Sequence, residues 1–148
     1  MKRYSQCGVI LINNNASKVL VVLQNSSKKW GLPKGHMTAE EMNSRAYFSC
    51  AKRELYEETG VYLNVLKYKM IGTIILNDKF FYVIRINKDF LWTNPVDKNE
   101  ILKVKWLPLE NIRDFTMSQP CNSTLSKLCR TWNQPSFPVL QKHYIMAA

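Results

Sequence analysis

Apolar and polar residues alternate loosely over residues 4–12 and stop at Asn13, Asn14 and Asn15, a cluster of turn formers. Residues 18–23 then form an apolar, largely β-branched run from Val19 to Leu23 behind Lys18. This pattern predicts two strands joined as a hairpin. A second pair of strands, Met70 to Leu76 and Lys79 to Ile86, flanks Asn77 and Asp78, a dipeptide that tolerates positive φ in a tight turn. Ile101 to Leu107 reads as a further strand ending at Pro108, and the polar stretch from Asn111 to Pro120 reads as a connection. Leu125, Leu128, Cys129 and Trp132 recur at i, i+3, i+4 and i+7, a helical stripe that Pro135 closes.

The middle of the chain carries two faces on one helix. Phe48, Ala51 and Leu55 fall at i, i+3 and i+7, while Glu54, Glu57 and Glu58 fall at i, i+3 and i+4 on another side. Gly60 is placed to end this helix in the left-handed conformation, after which Val61, Tyr62 and Leu63 return to strand-like sequence. Strands, helix, strands and helix in this order predict an α/β sandwich with a mixed sheet between helices. No repeat or linker divides residues 1–148, so one domain is expected, with residues 135–148 as a loosely attached tail.

Composition narrows the class. With 46% hydrophobic, 11% aromatic and 22% charged residues in 148, the chain can bury a core, which argues against a disordered or fibrous protein. Its apolar runs fall far short of the roughly 20 residues that span a bilayer. The N-terminal apolar stretch is too short for a secretory signal, so a cytoplasmic location and no membrane partner are expected. Cys7, Cys50, Cys121 and Cys129 lack metal-binding spacing, and His36 and His143 are too scattered to complete a zinc set; four reduced thiols are expected. The formal charge of +10 favours polyanions as substrate or partner.

Glu54, Glu57 and Glu58, with Glu40 and Glu41 nearby, repel one another unless a cation sits among them. Arg53, four residues before Glu57, is one source of that charge. A hard divalent ion, Mg²⁺ or Mn²⁺, is the other, because carboxylate oxygens without thiolate or imidazole suit such ions. A solvated acidic face is the plainer alternative.

The run Arg53-Glu54-Leu55-Tyr56-Glu57-Glu58-Thr59-Gly60-Val61 resembles the second half of the Nudix box, R-E-U-x-E-E-x-G-U, where U is a bulky aliphatic residue. Gly35 and Glu41 meet its first half, G-x5-E, after Trp30-Gly31-Leu32-Pro33-Lys34. The segment Met42 to Lys52 is four residues longer than the family pattern, so Glu40 as well as Glu41 is open for the first acidic position. The resemblance implies the Nudix α/β/α sandwich and hydrolysis of a diphosphate linked to a nucleoside. It implies that Glu54, Glu57, Glu58 and the Gly35 carbonyl bind Mg²⁺ or Mn²⁺, and that Arg53 orients a glutamate. The family's base is in some members a box glutamate and in others an acid from a later loop, for which Glu100 is the candidate.

The box fixes the bond and not the substrate. Its sequence here resembles the Nudix domain of mRNA-decapping enzymes and their relatives in large DNA viruses, while Pro33-Lys34-Gly35-His36 also resembles dinucleoside-polyphosphate and diphosphoinositol-polyphosphate hydrolases. The helical regulatory domain that precedes the cellular decapping domain is not expected, since strand-like sequence begins near Tyr4. Residues 40–58 hold five acids and three bases, leaving 18 bases against 6 acids elsewhere. An acidic cleft in a basic body favours capped RNA over a small nucleoside-diphosphate-linked molecule, with a Nudix-fold binding module that has lost hydrolysis as the reading of another class. Lys34, His36 and Lys79 are candidates for substrate contact, and Phe81 and Trp92 for stacking on a base. Nothing in the sequence sets an oligomeric state.

Overall fold

The structure is a computed structural model and describes residues 3–133. Strands β1 (Gln6–Ile12) and β2 (Lys18–Gln24) are buried along most of their length, as strands covered on both faces must be. The Asn13 side chain organises the turn between them, its Oδ1 accepting from the Ser17 and Lys18 amides at 2.9 Å each. The hairpin is brief. β1 meets β2 only at Ile12↔Val19 before the two diverge, β2 towards the short β3 (Trp30–Gly31) and β1 towards β4 (Lys34–His36).

β5 (Tyr68–Leu76) and β6 (Lys79–Ile86) form the second hairpin, with Asn77 and Asp78 at φ 51° and 61°, the positive values its turn requires. β6 runs parallel to β1 from Cys7↔Phe80 to Ile12↔Arg85, and β7 (Ile101–Pro108) lies antiparallel to β2. The sheet is therefore mixed, ordered β3-β2-β1-β6-β5, with β4 joined to β1 and β7 to β2.

Alternation along β1 sets the two layers. Cys7, Val9 and Leu11 face α2 (Tyr47–Thr59) and its Cys50, Ala51 and Leu55; Ile10 and Ile12 face α3 (Ile112–Ser118) and α4 (Ser123–Thr131) through Ile112, Leu125 and Leu128. This is the expected α/β sandwich with a mixed sheet between helices. All four cysteines are free thiols, and no described helix is long and apolar enough to cross a membrane.

The structure corrects three expectations. The polar stretch from Asn111 holds α3, anchored by buried Ile112 and by Phe115, which packs edge-on to Trp30 at 5.6 Å. Leu63–Val65 is a single 3-10 turn and no strand directly follows Gly60: Val61 and Leu63 are buried as anchors in the core on the α2 side of the sheet. Phe81 is fully buried between β1 and the α3–α4 layer, so it offers no face to a base. Pro135 and the expected tail lie outside the described residues.

Candidate active site

The lengthened segment of the box folds into a helix of its own, α1 (Ala39–Ser44). Thr38 and Glu41 form a reciprocal capping box there: the Thr38 hydroxyl accepts from the Glu41 amide at 3.1 Å and Glu41 Oε1 from the Thr38 amide at 2.9 Å. Arg45, left-handed at φ 55°, ends α1 and turns the chain into α2. The geometry decides between the two acids: Arg53 donates to Glu41 from Nη2 at 2.8 Å and from Nε at 3.2 Å, while Glu40 is exposed on the outer side of α1.

Arg53 is the hub of the site. Its Nη1 donates to Glu54 at 2.9 Å and to Glu57 at 3.1 Å, and its Nη2 also reaches the His36 carbonyl at 3.1 Å. One planar guanidinium thus spans three carboxylates and ties β4 and α1 to α2. Its neighbour Arg53 holds the Glu41 carboxyl below its usual range, and Glu41 with the other acids pushes Arg53 further up.

Glu58 lies on the buried side of α2. Its Oε1 accepts from the Lys34 amide at 3.1 Å, its Oε2 has no partner, and the residue is 0% exposed. Burial raises its pKa to about 9. Burial also raises Glu54, against the pull of Arg53, and Glu100, which sits beside Glu58 and Asp97. Lys34 is lowered by burial and by Lys79 nearby, against the upward pull of Glu58, Glu54 and Glu100, so Lys34 borders the carboxylates.

The C-terminal end of α2 explains how Glu100 arrives there. Gly60, at φ 78°, caps the helix by donating to the Tyr56 carbonyl. Carbonyls left over at the helix end are taken up by the loop after β6: Asn94 donates to Thr59 at 2.9 Å, and Val96 and Asp97 both donate to Glu57 at 3.0 Å. Asp97 then accepts from the Glu100 amide at 3.1 Å, and the Glu100 carbonyl accepts from Asn25 at 2.8 Å. Sequence reasoning passed over Asp97, although an Asp three residues before Glu100 is an Asx-turn signal.

Gly35 forms the opposite wall. A Cβ there would overlap the Glu54 carboxylate, so only glycine lets that carboxylate lie against β4. Among the described residues no three His, Cys, Asp or Glu side chains stand ready as a finished ligand set, because Arg53 holds Glu54 and Glu57 while Glu58 turns to Lys34. The chemistry nevertheless fits a hard cation: oxygen donors only, one buried carboxylate oxygen without a partner, and the Glu54 carboxylate packed against Gly35, whose carbonyl accepts from Cys50 Sγ at 3.8 Å. Gly35→Ala is expected to displace Glu54 and lower catalysis by about 10²-fold, the effect of moving a reacting geometry by an ångström. Steady-state rates would check this, with partial recovery on shortening the clashing side chain by Glu54→Asp.

The remaining predicted contacts are dispersed. Lys34 and Lys79 are half-buried, Lys34 beside the carboxylates and Lys79 at the β5–β6 turn, where its Nζ donates to the Asn77 carbonyl at 3.3 Å. The His36 side chain is exposed. Trp92 is 90% exposed and edge-on to Phe90 at 5.5 Å, on the loop that Asn94 pins to α2.

A mixed-sheet sandwich with an Arg–Glu network on one helix and a glycine against it defines a Nudix-type domain. The sequence model of the NUDIX domain matches residues 2–128, and the chain belongs to this family. It is 31% identical to Nudix hydrolase 7 of Arabidopsis thaliana over 126 residues, covering 78% of this chain and 41% of that protein. It is 30% identical to the 111R protein of Invertebrate iridescent virus 3 over 103 residues, 69% of this chain and 58% of that one. Against the m7GpppN-mRNA hydrolase of Saccharomyces cerevisiae it is 28% identical over 109 residues, 71% of this chain and 11% of that one. The chain thus spans about half or less of the length of each relative. Among solved structures, a C. elegans Ap4A hydrolase binary complex superposes with a TM-score of 0.62 at 14% identity, covering 99% of this chain and 100% of that one. The DR0079 protein of Deinococcus radiodurans gives 0.64 at 16% identity, covering 89% and 83%. Both likenesses concern the fold.

Proposed function

We propose that this domain is a divalent-metal-dependent pyrophosphohydrolase and that its substrate is capped RNA. The observation that carries the reading is the buried, unpartnered Glu58 oxygen on the same helix as Glu54 and Glu57, facing the Gly35 strand. Arg53 offsets the charge of Glu54 and Glu57, but burying Glu58 with one oxygen unpartnered destabilises the empty domain, which disfavours a pure binding module.

Glu54, Glu57, Glu58 and the Gly35 carbonyl are the groups that would hold Mg²⁺ or Mn²⁺. Bound there, the cation offsets phosphate charge and lowers the pKa of a coordinated water. Arg53 keeps Glu54 and Glu57 in place. Water oxygen bonds to a phosphorus as the bridging P–O bond breaks. Glu100 is the base: its raised pKa brings it nearer neutrality, and it takes the proton that the water loses. Lys34, beside the carboxylates and with Lys79 near it, would offset the departing phosphate charge. With capped RNA the products are methylated guanosine diphosphate and RNA with a 5′-monophosphate.

RNA is favoured by the basic body of the chain, by the aligned m7GpppN-mRNA hydrolase segment, and by Trp92, whose exposed indole is free to stack on a base. Cap-labelled RNA, diadenosine tetraphosphate and a diphosphoinositol polyphosphate, offered in parallel with Mg²⁺ and then Mn²⁺, rank the substrates. Capped RNA is expected to turn over fastest; turnover of only a small substrate would refute the RNA assignment.

A further inference from the structure

The geometry points to a second phosphate-binding site, remote from the carboxylates, that holds the backbone of a single-stranded RNA. It lies at the open end of the β5–β6 hairpin, where Lys67, Lys69 and Arg85 line one hollow of about 230 Å³ together with Tyr68, Asn14 and Asn87. No acidic side chain lines it. Lys69 and Arg85 are direct cross-strand partners, and like charges in that position repel. Neither they nor Lys67 has an acidic partner among the described residues. A cross-strand pair of like charges beside a third base is a destabilising choice unless an anion settles between them.

Position indicates which anion. Arg85 lies six residues along β6 from Lys79, the neighbour of Lys34 at the carboxylates, a separation of about 20 Å at the rise of a strand. A mononucleotide seated at the carboxylates does not reach both places. A chain that repeats a phosphate at each nucleotide does. Its route is β5, the outer strand of the sheet, where Tyr68, Lys69 and Met70 are exposed and the rim carries unpaired backbone groups. Tyr68, beside the basic trio, offers a ring for a base.

The site rests on the RNA reading of the protein but not on which bond is cleaved, so its test omits catalysis. Binding of a labelled, uncapped single-stranded RNA to the full chain is measured by fluorescence anisotropy in EDTA across a salt series. For single strands the slope of log affinity against log salt changes by about 0.7 per phosphate contact. Changing Lys67, Lys69 and Arg85 together to Gln is expected to flatten that slope by about 2 and to leave turnover of diadenosine tetraphosphate by the metal-loaded enzyme unchanged. The single variant Lys69→Gln, which removes one phosphate contact together with the cross-strand repulsion, is expected to flatten it by about 0.7 with a thermal midpoint no lower than wild type. An unchanged slope in the triple variant would overturn the site. So would inorganic phosphate protecting the wild type from thermal unfolding through the trio while RNA affinity ignores these residues, since the hollow would then serve a small anion.

Discussion

Glu57→Gln is expected to reduce diphosphate hydrolysis by on the order of 10³-fold, the scale on which groups that hold metal or move protons contribute. The substitution preserves length and shape. The amide oxygen can still accept from Arg53, now at 3.1 Å from the carboxylate, and the backbone carbonyl keeps the Val96 and Asp97 amides. Only the charge is lost. The Arg53–Glu57 pair is 33% and 40% exposed, so water screens it and its contribution to stability is at most about 1 kcal/mol. Rate and stability should therefore separate: steady-state turnover collapses while the thermal midpoint moves by no more than a few degrees. A variant that retains a rate within tenfold of wild type would remove Glu57 from the metal set.

Glu58→Gln is expected to stabilise the metal-free protein, and to do so in a pH-dependent way. Buried Glu58 keeps its proton up to about pH 9 in the folded state and releases it near 4.5 when unfolded. Between those values the unfolded state binds fewer protons, so wild-type stability falls as pH rises through that window and levels off above it. Glutamine has no such proton to release, and its oxygen still accepts from the Lys34 amide. At pH 7 the difference is on the order of 3 kcal/mol in favour of the variant, shrinking towards zero near pH 4.5. Glu54 and Glu100, also raised, leave a smaller slope of the same sign in both proteins. Thermal midpoints in EDTA from pH 4.5 to 9 check this; parallel curves for the two proteins would show that Glu58 is not held protonated. The same variant is expected to lose hydrolysis, so a residue that destabilises the empty protein is kept for the chemistry it performs.

The features legible in the sequence are those that local chemistry dictates. Asn77 and Asp78 specify a turn because few other pairs accept two positive φ values, and Gly60 marks a helix end for the same reason. The stripe of Phe48, Ala51 and Leu55 marked the apolar face of α2, while the spacing of Glu54, Glu57 and Glu58 marked the acidic one without showing that Glu54 and Glu58 are themselves buried. Where long-range contacts decide, the chain was silent. Three residues of β4 have no periodicity of their own, and they become a strand because β1 leaves β2 and offers an edge. α3 turns only Ile112 and Phe115 inward, with Met117 exposed, and Phe115's partner Trp30 is some eighty residues away. Phe81 was misplaced because β6 is apolar towards both layers and so has no alternation to say which side is solvent. The choice between Glu40 and Glu41 was within reach: Thr38 and Glu41 have the spacing of a capping box, which orients Glu41 before Arg53 binds it.

Cap-labelled RNA with Mg²⁺, followed by separation of the labelled products, tests the central claim most directly. The wild-type protein is expected to release the label as methylated guanosine diphosphate and Glu57→Gln to release none above background. Label that stays on the RNA with the wild type, or is released equally by the variant, would contradict the assignment of capped-RNA hydrolysis to the carboxylates of α2.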